Sequence, residues 1–240
     1  MTTETVERHA IRTPLGNVAR ICTRDTTNDG ALAYGLMTGD EYRLADLPLL
    51  TGWAIDVGAH IGAITVALAI DNPGLRVIAV EALPQNVDMI IANRDANGLE
   101  QMVTVVHGAA AAPGDGPAAI SFAWDRTDPA VIDTPYVRES RYIGNMLRED
   151  QGGETITVDP VSLDDLMDRF AIERVALVKI DCEGCEFRFL RSPRIGDVER
   201  IVGEYHDRGT WPELLAILEP THVVTRRSEG MIALFDAVLR

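Results

Sequence analysis

Two hydrophobic periods alternate along the chain from residue 53 onward. Short apolar runs with the length of buried strands are separated by longer stretches whose apolar residues recur at helical spacing. The predicted strands are 53–57, 75–80, 102–107, 175–180, 201–205, 222–226 and 231–236, and the predicted helices are 62–70, 84–97 and 211–218. Strands that alternate with helices predict a mostly parallel sheet with helices on both faces. We therefore predict an α/β fold with seven main strands, the last two forming an antiparallel hairpin.

Two segments depart from this alternation. Residues 1–50 contain a turn at 14–17 between β-prone runs, then a stretch at 39–50 whose leucines recur at helical spacing, and we interpret them as an N-terminal cap. Residues 123–153 have no sustained period and contain prolines, aromatic residues and the Gly152-Gly153 pair. Long irregular insertions in compact domains are usually lids or binding loops, so we expect a substrate cover here. A surface insertion without function fits the same pattern.

Length and charge narrow the classes of function. A chain of 240 residues suits a single domain, 1–240. Its formal net charge of −15 provides no basic surface for phosphate backbones or anionic lipid, so neither a nucleic acid nor a membrane is expected as a partner. Three cysteines do not suggest a disulfide framework and the first residues do not resemble a signal peptide, which predicts a cytoplasmic protein. A homodimer is the default oligomer.

A glycine turn follows the first of these strands. Asp56 closes the strand and Gly58-Ala59-His60-Ile61-Gly62 leads into a helix. Glycines allow a ligand to approach the backbone closely, and free amides at a helix start attract a carboxylate or phosphate, although a turn made only for packing has the same pattern. The spacing differs from the dinucleotide fingerprint. Because Asp56 would repel a pyrophosphate and attract an ammonium group, charge favours S-adenosylmethionine over NAD.

Acidic residues end the next predicted strands. Glu81 stands where an acceptor reaches the ribose hydroxyls of an adenosine ligand, although a solvated charge is an equal alternative for this residue alone. Asp181 and Glu183 follow the buried strand 175–180, where two carboxylates could meet a cationic sulfonium and a substrate hydroxyl. Capping of the following helix is the other interpretation.

Glu204 and His206 end the strand after that and are expected on the same face of the sheet. A histidine beside acids is the usual general base, so we expect His206 first and Asp181 second to take a substrate proton, with a structural histidine as the alternative. Asp181, Glu183, Glu204 and Asp207 could also supply oxygen ligands to a divalent metal, but no spacing requires one and no metal ligand is assigned. Cys182 and Cys185 have C-x-x-C spacing without partner ligands, so we interpret them as small buried side chains.

Residues 39–206 resemble the FkbM-type S-adenosylmethionine-dependent methyltransferases. The resemblance rests on an ordered set of motifs: Gly39-Asp40-Glu41-Tyr42, Ile55-Asp56-Val57-Gly58-Ala59-His60-Ile61-Gly62, Val80-Glu81-Ala82-Leu83-Pro84-Gln85-Asn86, Ser162-Leu163-Asp164-Asp165-Leu166, Val178-Lys179-Ile180-Asp181-Cys182-Glu183-Gly184-Cys185-Glu186 and Glu204-Tyr205-His206. It implies a class I methyltransferase, Rossmann-like sheet with an antiparallel last strand. His60 stands where the family commonly has Asn, and Cys182 and Cys185 replace Val and Ala.

The resemblance also implies roles for single residues. It assigns Asp56, Gly58 and the amides near His60 to the methionine end of the cofactor, and Glu81 to the ribose. Ala82, Gly108 and Ala109 would flank the adenine. The full expected cofactor-binding set is Asp56, Gly58, Ala59, His60, Ile61, Gly62, Glu81, Ala82, Asn86, Gly108, Ala109 and Asp181, and the catalytic candidates are His206, Asp181, Glu183 and Glu204.

The expected reaction is in-line transfer of a methyl group to a hydroxyl of a small molecule, and the resemblance implies a secondary metabolite or a sugar. Most of the rate would come from positioning of the reacting atoms. An N-methyltransferase of a small amine is the closest alternative. A non-catalytic cofactor-binding scaffold is an alternative from another class, and an NAD oxidoreductase is the weakest of the four.

Overall fold

The computed structural model describes residues 5–25, 27–122, 145–146, 154–206, 209–228 and 233–240. The strands are β1 (Val6–Arg12), β2 (Val18–Arg24), β3 (Thr51–Val57), β4 (Gly74–Glu81), β5 (Val103–His107), β6 (Ala109–Ala110), β7 (Ala118–Phe122), β8 (Asn145–Met146), β9 (Glu154–Val158), β10 (Pro160–Val161), β11 (Leu177–Ile180), β12 (Arg200–Tyr205), β13 (His222–Arg226) and β14 (Ala233–Leu239). The helices are α1 (Asp29–Thr38), α2 (Ala63–Asp71), α3 (Pro84–Ala96), α4 (Leu163–Arg169), α5 (Glu186–Phe189) and α6 (Trp211–Leu218).

Seven strands form the main sheet, in the order β13-β14-β12-β11-β3-β4-β5. From β12 to β5 all neighbours are parallel, whereas β14 runs antiparallel to both β12 and β13. The predicted mostly parallel sheet with an antiparallel last strand is therefore confirmed. Strand order reverses between β3 and β11, and ligands of such sheets bind at this reversal, beyond the carboxyl ends of the strands.

Helices cover both faces because both faces of the central strands are apolar. Alternate residues of a strand enter opposite layers. Ala54 of β3 and Leu177 of β11 belong to the layer that contains α1, α2 and the β1–β2 hairpin. Ile55 and Val178, their neighbours along the chain, pack into the layer of α4 and α6. Within the described residues, the helices are too short or too polar to cross a membrane.

The N-terminal residues differ from the prediction. Residues 39–50 do not form a regular helix, because Asp40 and Arg43 adopt left-handed φ angles of 45° and 52°. The Asp40 carboxylate accepts hydrogen bonds from two amides of the single 3-10 turn Leu44–Asp46, which replaces helical backbone bonding. The helix of this region is α1, ten residues that precede the predicted segment. The single-domain interpretation of 1–240 stays a prediction.

The irregular insertion 123–153 lies outside the described residues except for β8. At its base, β7 pairs antiparallel with both β8 and β9. The short parallel pair β6 and β10 connects this base to the main sheet, because β6 follows β5 after a single residue. The proposed lid role of the insertion therefore stays a prediction, while its attachment point is defined.

Candidate active site

A cavity of about 280 Å³ lies at the reversal in strand order. Gly58, Glu81, Asp181 and Glu204 line it, and each belongs to the carboxyl end of one of the neighbouring strands β3, β4, β11 and β12. Helix α1 adds an apolar wall through Leu32, Ala33 and Leu36. The cavity thus joins the predicted cofactor residues to the predicted catalytic residues.

Most of the expected residues lie at this cavity. The expected residues that line it are Gly58, Ala59, His60, Glu81, Ala82, Gly108, Ala109, Asp181, Glu183 and Glu204. The expected residues outside the lining are Asp56, Ile61, Gly62, Asn86 and His206. Asp207, named as a possible oxygen ligand, lies outside the described residues.

The glycine turn is shaped by the protein's own packing. Gly58 has a φ of 72°, and a Cβ there would lie 1.8 Å from the carbonyl oxygen of Asp181. Gly62 has a φ of 81°, and its Cβ would lie 3.1 Å from Ile90. Neighbours within the protein already favour glycine here, because a Cβ at Gly58 would overlap the Asp181 carbonyl and a Cβ at Gly62 would press on Ile90 at a strained φ. The approach of a ligand to these glycines stays a prediction.

The amides of this turn are also engaged. Gly58 and Ala59 donate to the carbonyl of Val80 at 3.0 and 3.1 Å, and the His60 amide donates to Glu81 at 2.8 Å. The expected free amides facing a ligand carboxylate are therefore absent at these three positions. His60 has a left-handed φ of 53°, which explains why Asn, the residue most tolerant of that conformation after glycine, also suits the position.

Asp56 lies below the cavity floor instead of facing a ligand. It is fully buried, accepts a hydrogen bond from Thr65 at 2.6 Å and forms an ion pair with Lys179, whose Nζ lies 3.2 Å from Oδ1. Lys179 also donates to the carbonyl of Gly58 at 3.0 Å. Burial by itself would lower the pKa of Lys179, but the negative charges of Asp56 and Asp181 raise it. The ion pair between Asp56 and Lys179 therefore leaves the bottom of the cavity without net charge, and Lys179 holds the glycine turn in place through the Gly58 carbonyl.

Glu81 is held rigidly at the end of β4. Its carboxylate accepts hydrogen bonds from the amides of His60 and Leu83 and lies 3.4 Å from the amide nitrogen of Asn86. Arg24 in turn donates to Asn86 at 2.8 Å. Asn86 is therefore placed behind Glu81, where it supports the carboxylate from outside the cavity lining.

Several carboxylates crowd the opposite side of the cavity. Asp181 accepts a hydrogen bond from the Tyr42 hydroxyl at 2.8 Å, and Glu41, Glu183 and Glu204 line the cavity with it. Burial and the negative charge of Asp181 raise the pKa of Glu204 to about 7. The same two causes raise the pKa of Glu41. This side of the cavity is therefore acidic, and its crowded carboxylates favour the protonated forms of Glu41 and Glu204.

His206 stands behind these carboxylates. Its Nδ1 lies 2.8 Å from Oε1 of Glu186, which also accepts hydrogen bonds from the amides of Cys182 and Gly184. Burial by itself would lower the pKa of His206, but the Glu186 hydrogen bond and nearby carboxylates raise it to about 9. A protonated imidazole cannot accept a proton, so the expectation of His206 as first general base is not supported at neutral pH.

The two cysteines lie beside the cavity, Cys185 buried and Cys182 half-buried. The thiol of Cys185 donates to the carbonyl of Cys182 at 3.1 Å. Burial raises the pKa of Cys182 well above the ordinary value, which keeps this thiol protonated. The interpretation as small packing side chains remains the simplest one for both.

Some site residues were not expected from the sequence. These are the α1 wall, the Lys179 partner of Asp56, the Tyr42 partner of Asp181 and the Glu186 partner of His206. Tyr42 and Glu186 lie inside motifs that carry the family resemblance, which was the available signal. Leu32 and Leu36, four residues apart, were the only helical signal for the α1 wall.

The sheet order, the antiparallel β14 and the cavity at the strand reversal together define a class I methyltransferase fold, the class that uses S-adenosylmethionine. The family model of the FkbM methyltransferase domain matches residues 56–225. The chain belongs to this family, as the motifs indicated. A comparison with curated proteins finds no match.

One solved structure with a TM-score above 0.5 supports the same fold, and two others are similar to this chain at lower TM-scores. A T. thermophilus 16S rRNA methyltransferase in complex with AdoMet and guanosine is 13% identical with a TM-score of 0.53, over 100% of this chain and 52% of that chain. M. capricolum TrmK in complex with S-adenosyl-homocysteine is 10% identical with a TM-score of 0.48, over 82% and 66%. An O-methyltransferase family protein from Burkholderia thailandensis is 11% identical with a TM-score of 0.48, over 88% and 57%. This chain therefore spans about half to two thirds of the length of these three proteins.

Proposed function

We propose that this protein transfers the methyl group of S-adenosylmethionine to a hydroxyl of a small molecule. The observation that carries the proposal is the continuity of one cavity from Glu81 to Asp181 and Glu204. A cofactor held at Glu81 and an acceptor held at the carboxylates would share this space, as direct transfer requires.

The described residues fit the cofactor. Glu81 accepts two backbone hydrogen bonds, so its carboxylate is oriented before any ligand binds, and carboxylate oxygens are the acceptors that the two ribose hydroxyls require. Ala82, Gly108 and Ala109 offer small side chains beside it, which leave room for a flat adenine ring. When bound, S-adenosylmethionine supplies a methyl carbon made electrophilic by its cationic sulfur.

The acidic side of the cavity suits both the cationic sulfonium of the cofactor and the hydroxyl of the acceptor. Asp181 and Glu204 place negative charge where a cationic sulfonium would be stabilised. The carboxylates also provide a destination for the hydroxyl proton, because Glu204 with a pKa of about 7 is substantially ionised at neutral pH. Tyr42 holds Asp181 in position through its hydroxyl. His206, protonated behind them, limits their mutual repulsion.

The acceptor is proposed to be small for two reasons. The cavity of about 280 Å³ must hold the cofactor as well as the acceptor group, and the net charge of −15 opposes the approach of a polyanion. The resemblance to the FkbM family favours a secondary metabolite or a sugar. These statements concern the domain described by residues 56–225, which is the part that the family model matches.

Product analysis tests the proposal directly. The purified protein is incubated with methyl-labelled S-adenosylmethionine and a panel of hydroxylated metabolites and sugars, and the products are identified by mass spectrometry and NMR. We expect an O-methyl product with at least one acceptor. Methylation only on amine nitrogens, or cofactor binding without turnover on the whole panel, would contradict the proposal.

A variant links the reaction to the acidic residues. Glu204→Gln should lower turnover by ~10²-fold or more while calorimetry shows unchanged affinity for S-adenosylmethionine. Glu199→Gln makes the same chemical change at an exposed residue that pairs with Arg174, and should leave turnover unchanged. Equal turnover in the two variants would remove Glu204 from the mechanism.

A further inference from the structure

Three side chains with metal-binding atoms converge beside the cavity. One donor atom each from Asp181, Glu204 and His206 lies within 4.8 Å of the others. The three residues end the neighbouring parallel strands β11 and β12, so the sheet itself fixes their separation. Backbone hydrogen bonds of a buried sheet give such a group little freedom to spread apart.

Hydrogen bonds from neighbouring residues orient the metal-binding atoms of this group toward one another. Glu186 engages Nδ1 of His206, which leaves Nε2 facing the carboxylates, 3.9 Å from Asp181 and 3.4 Å from Glu183. The histidine is only 8% exposed. Tyr42 holds the other oxygen of Asp181. A carboxylate behind a histidine is the usual outer partner of a metal-binding imidazole.

The charge on this side of the cavity also favours a bound cation. Of the described lining residues, only Lys179 has a permanently cationic side chain, and it is engaged by Asp56 and the Gly58 carbonyl. Glu41, Asp181 and Glu204 line the same cavity, and among the described residues no Lys or Arg forms an ion pair with them within 4.0 Å, although Lys179 and Arg227 are close enough to lower the pKa of Glu41. A cation at this place would relieve their mutual repulsion.

We propose that Asp181, Glu204 and His206 bind one divalent cation, Mg²⁺ or Mn²⁺. Two carboxylates and one imidazole form an oxygen-rich set that suits these hard or borderline ions, and three protein ligands leave coordination positions open. The cation would displace the Nε2 proton of His206, because an imidazole binds a metal only through an unprotonated nitrogen. The proposal rests on the proposed function in one respect, because the open positions would hold the acceptor hydroxyl. Bound to the cation, that hydroxyl loses its proton more easily.

With a cation bound, the proton of the acceptor hydroxyl goes to a different residue during methyl transfer. The hydroxyl proton passes to Glu183, which lines the cavity but is not one of the three ligands. The acceptor oxygen forms its bond to the methyl carbon as the bond from carbon to sulfur breaks, and S-adenosylhomocysteine leaves. The cation stays divalent throughout, so no oxidant or reductant is needed. An acceptor with two adjacent oxygens would fill two coordination positions and bind best.

Metal binding is tested without cofactor or acceptor. Mn²⁺ is titrated into the full chain, and the free ion is followed by electron paramagnetic resonance. We expect one Mn²⁺ per chain, with affinity at least ~100-fold lower in Glu204→Gln and in His206→Ala. Glu41→Gln is the matched control, because it removes one cavity charge without removing a ligand and should change the affinity much less.

The outcomes separate this inference from the proposed function. No stoichiometric Mn²⁺ binding, or an equal loss in Glu41→Gln and Glu204→Gln, overturns the site. Mn²⁺ binding in a protein that transfers no methyl group supports the site and contradicts the function. Thermal melting of every variant checks that it folds, and Tyr42→Phe, which keeps all three ligands, should weaken Mn²⁺ binding ~10-fold by freeing Asp181.

Discussion

Replacement of Lys179 by methionine tests the buried ion pair below the cavity. The substitution keeps most of the side-chain volume and removes the charge that faces Asp56 at 3.2 Å. Asp56 is fully buried and would retain only its hydrogen bond from Thr65. An uncompensated buried carboxylate of this kind costs about 3–5 kcal/mol.

Urea unfolding followed by circular dichroism at pH 7 measures the loss. For a domain of this size the free energy of unfolding falls by about 3 kcal/mol per molar urea, so the midpoint should fall by about 1–2 M. The double variant Asp56→Asn with Lys179→Met removes both charges. Its loss should be smaller than the sum of the two single losses by about 2 kcal/mol, because each single variant leaves an unpaired group.

An exposed ion pair provides the control. Arg174→Met breaks a contact of 3.4 Å with Glu199, where both side chains are more than half exposed, and should cost less than about 1 kcal/mol. The reasoning is refuted if Lys179→Met costs no more than Arg174→Met, or if the losses of Asp56→Asn and Lys179→Met simply add.

Two further predictions concern backbone and pH. Gly58→Ala should destabilise by more than about 4 kcal/mol, because its Cβ would overlap the Asp181 carbonyl, whereas Gly16→Ala, with a similar φ of 85° and open space, should cost about 1–2 kcal/mol in thermal melting. Burial lowers the pKa of His222 from 6.5, so the unfolded chain binds more protons and stability should fall as the pH drops below 6.5. His222→Gln should flatten this slope in urea titrations from pH 7 to 5, and an unchanged slope would contradict the assignment.

The sheet and the acidic strand ends could be predicted because they depend on local patterns. Almost continuously apolar runs such as 175–180 indicate strands buried on both faces, and the acid that follows each run must then lie at the same edge of a parallel sheet. Glu81, Asp181 and Glu204 meet at one cavity for this reason. Because all three are acidic, their residue types alone indicated a site that binds a cation or accepts hydrogen bonds.

The rest depends on contacts between distant parts of the chain. Nothing near Gly58 in sequence shows that the Asp181 carbonyl will lie against it. Lys179 and Asp56 face each other only because β3 and β11 pair in register. The α1 helix was missed because its two internal glycines weaken the helical signal. The leucines at 39–50 recur at helical spacing, but hydrogen bonds to Asp40 prevent a helix there.

The position of β11 beside β3 has a consequence for biosynthesis. The ribosome adds about 120 residues between the end of β3 and the start of β11, which takes about 6–24 s at ordinary elongation rates of about 5–20 residues per second. During that interval the backbone N–H and C=O groups on the open edge of β3 have no partner strand. An unpaired edge of this kind can pair with another chain. Chaperone dependence of expression should therefore be greatest in truncations that end before Leu177.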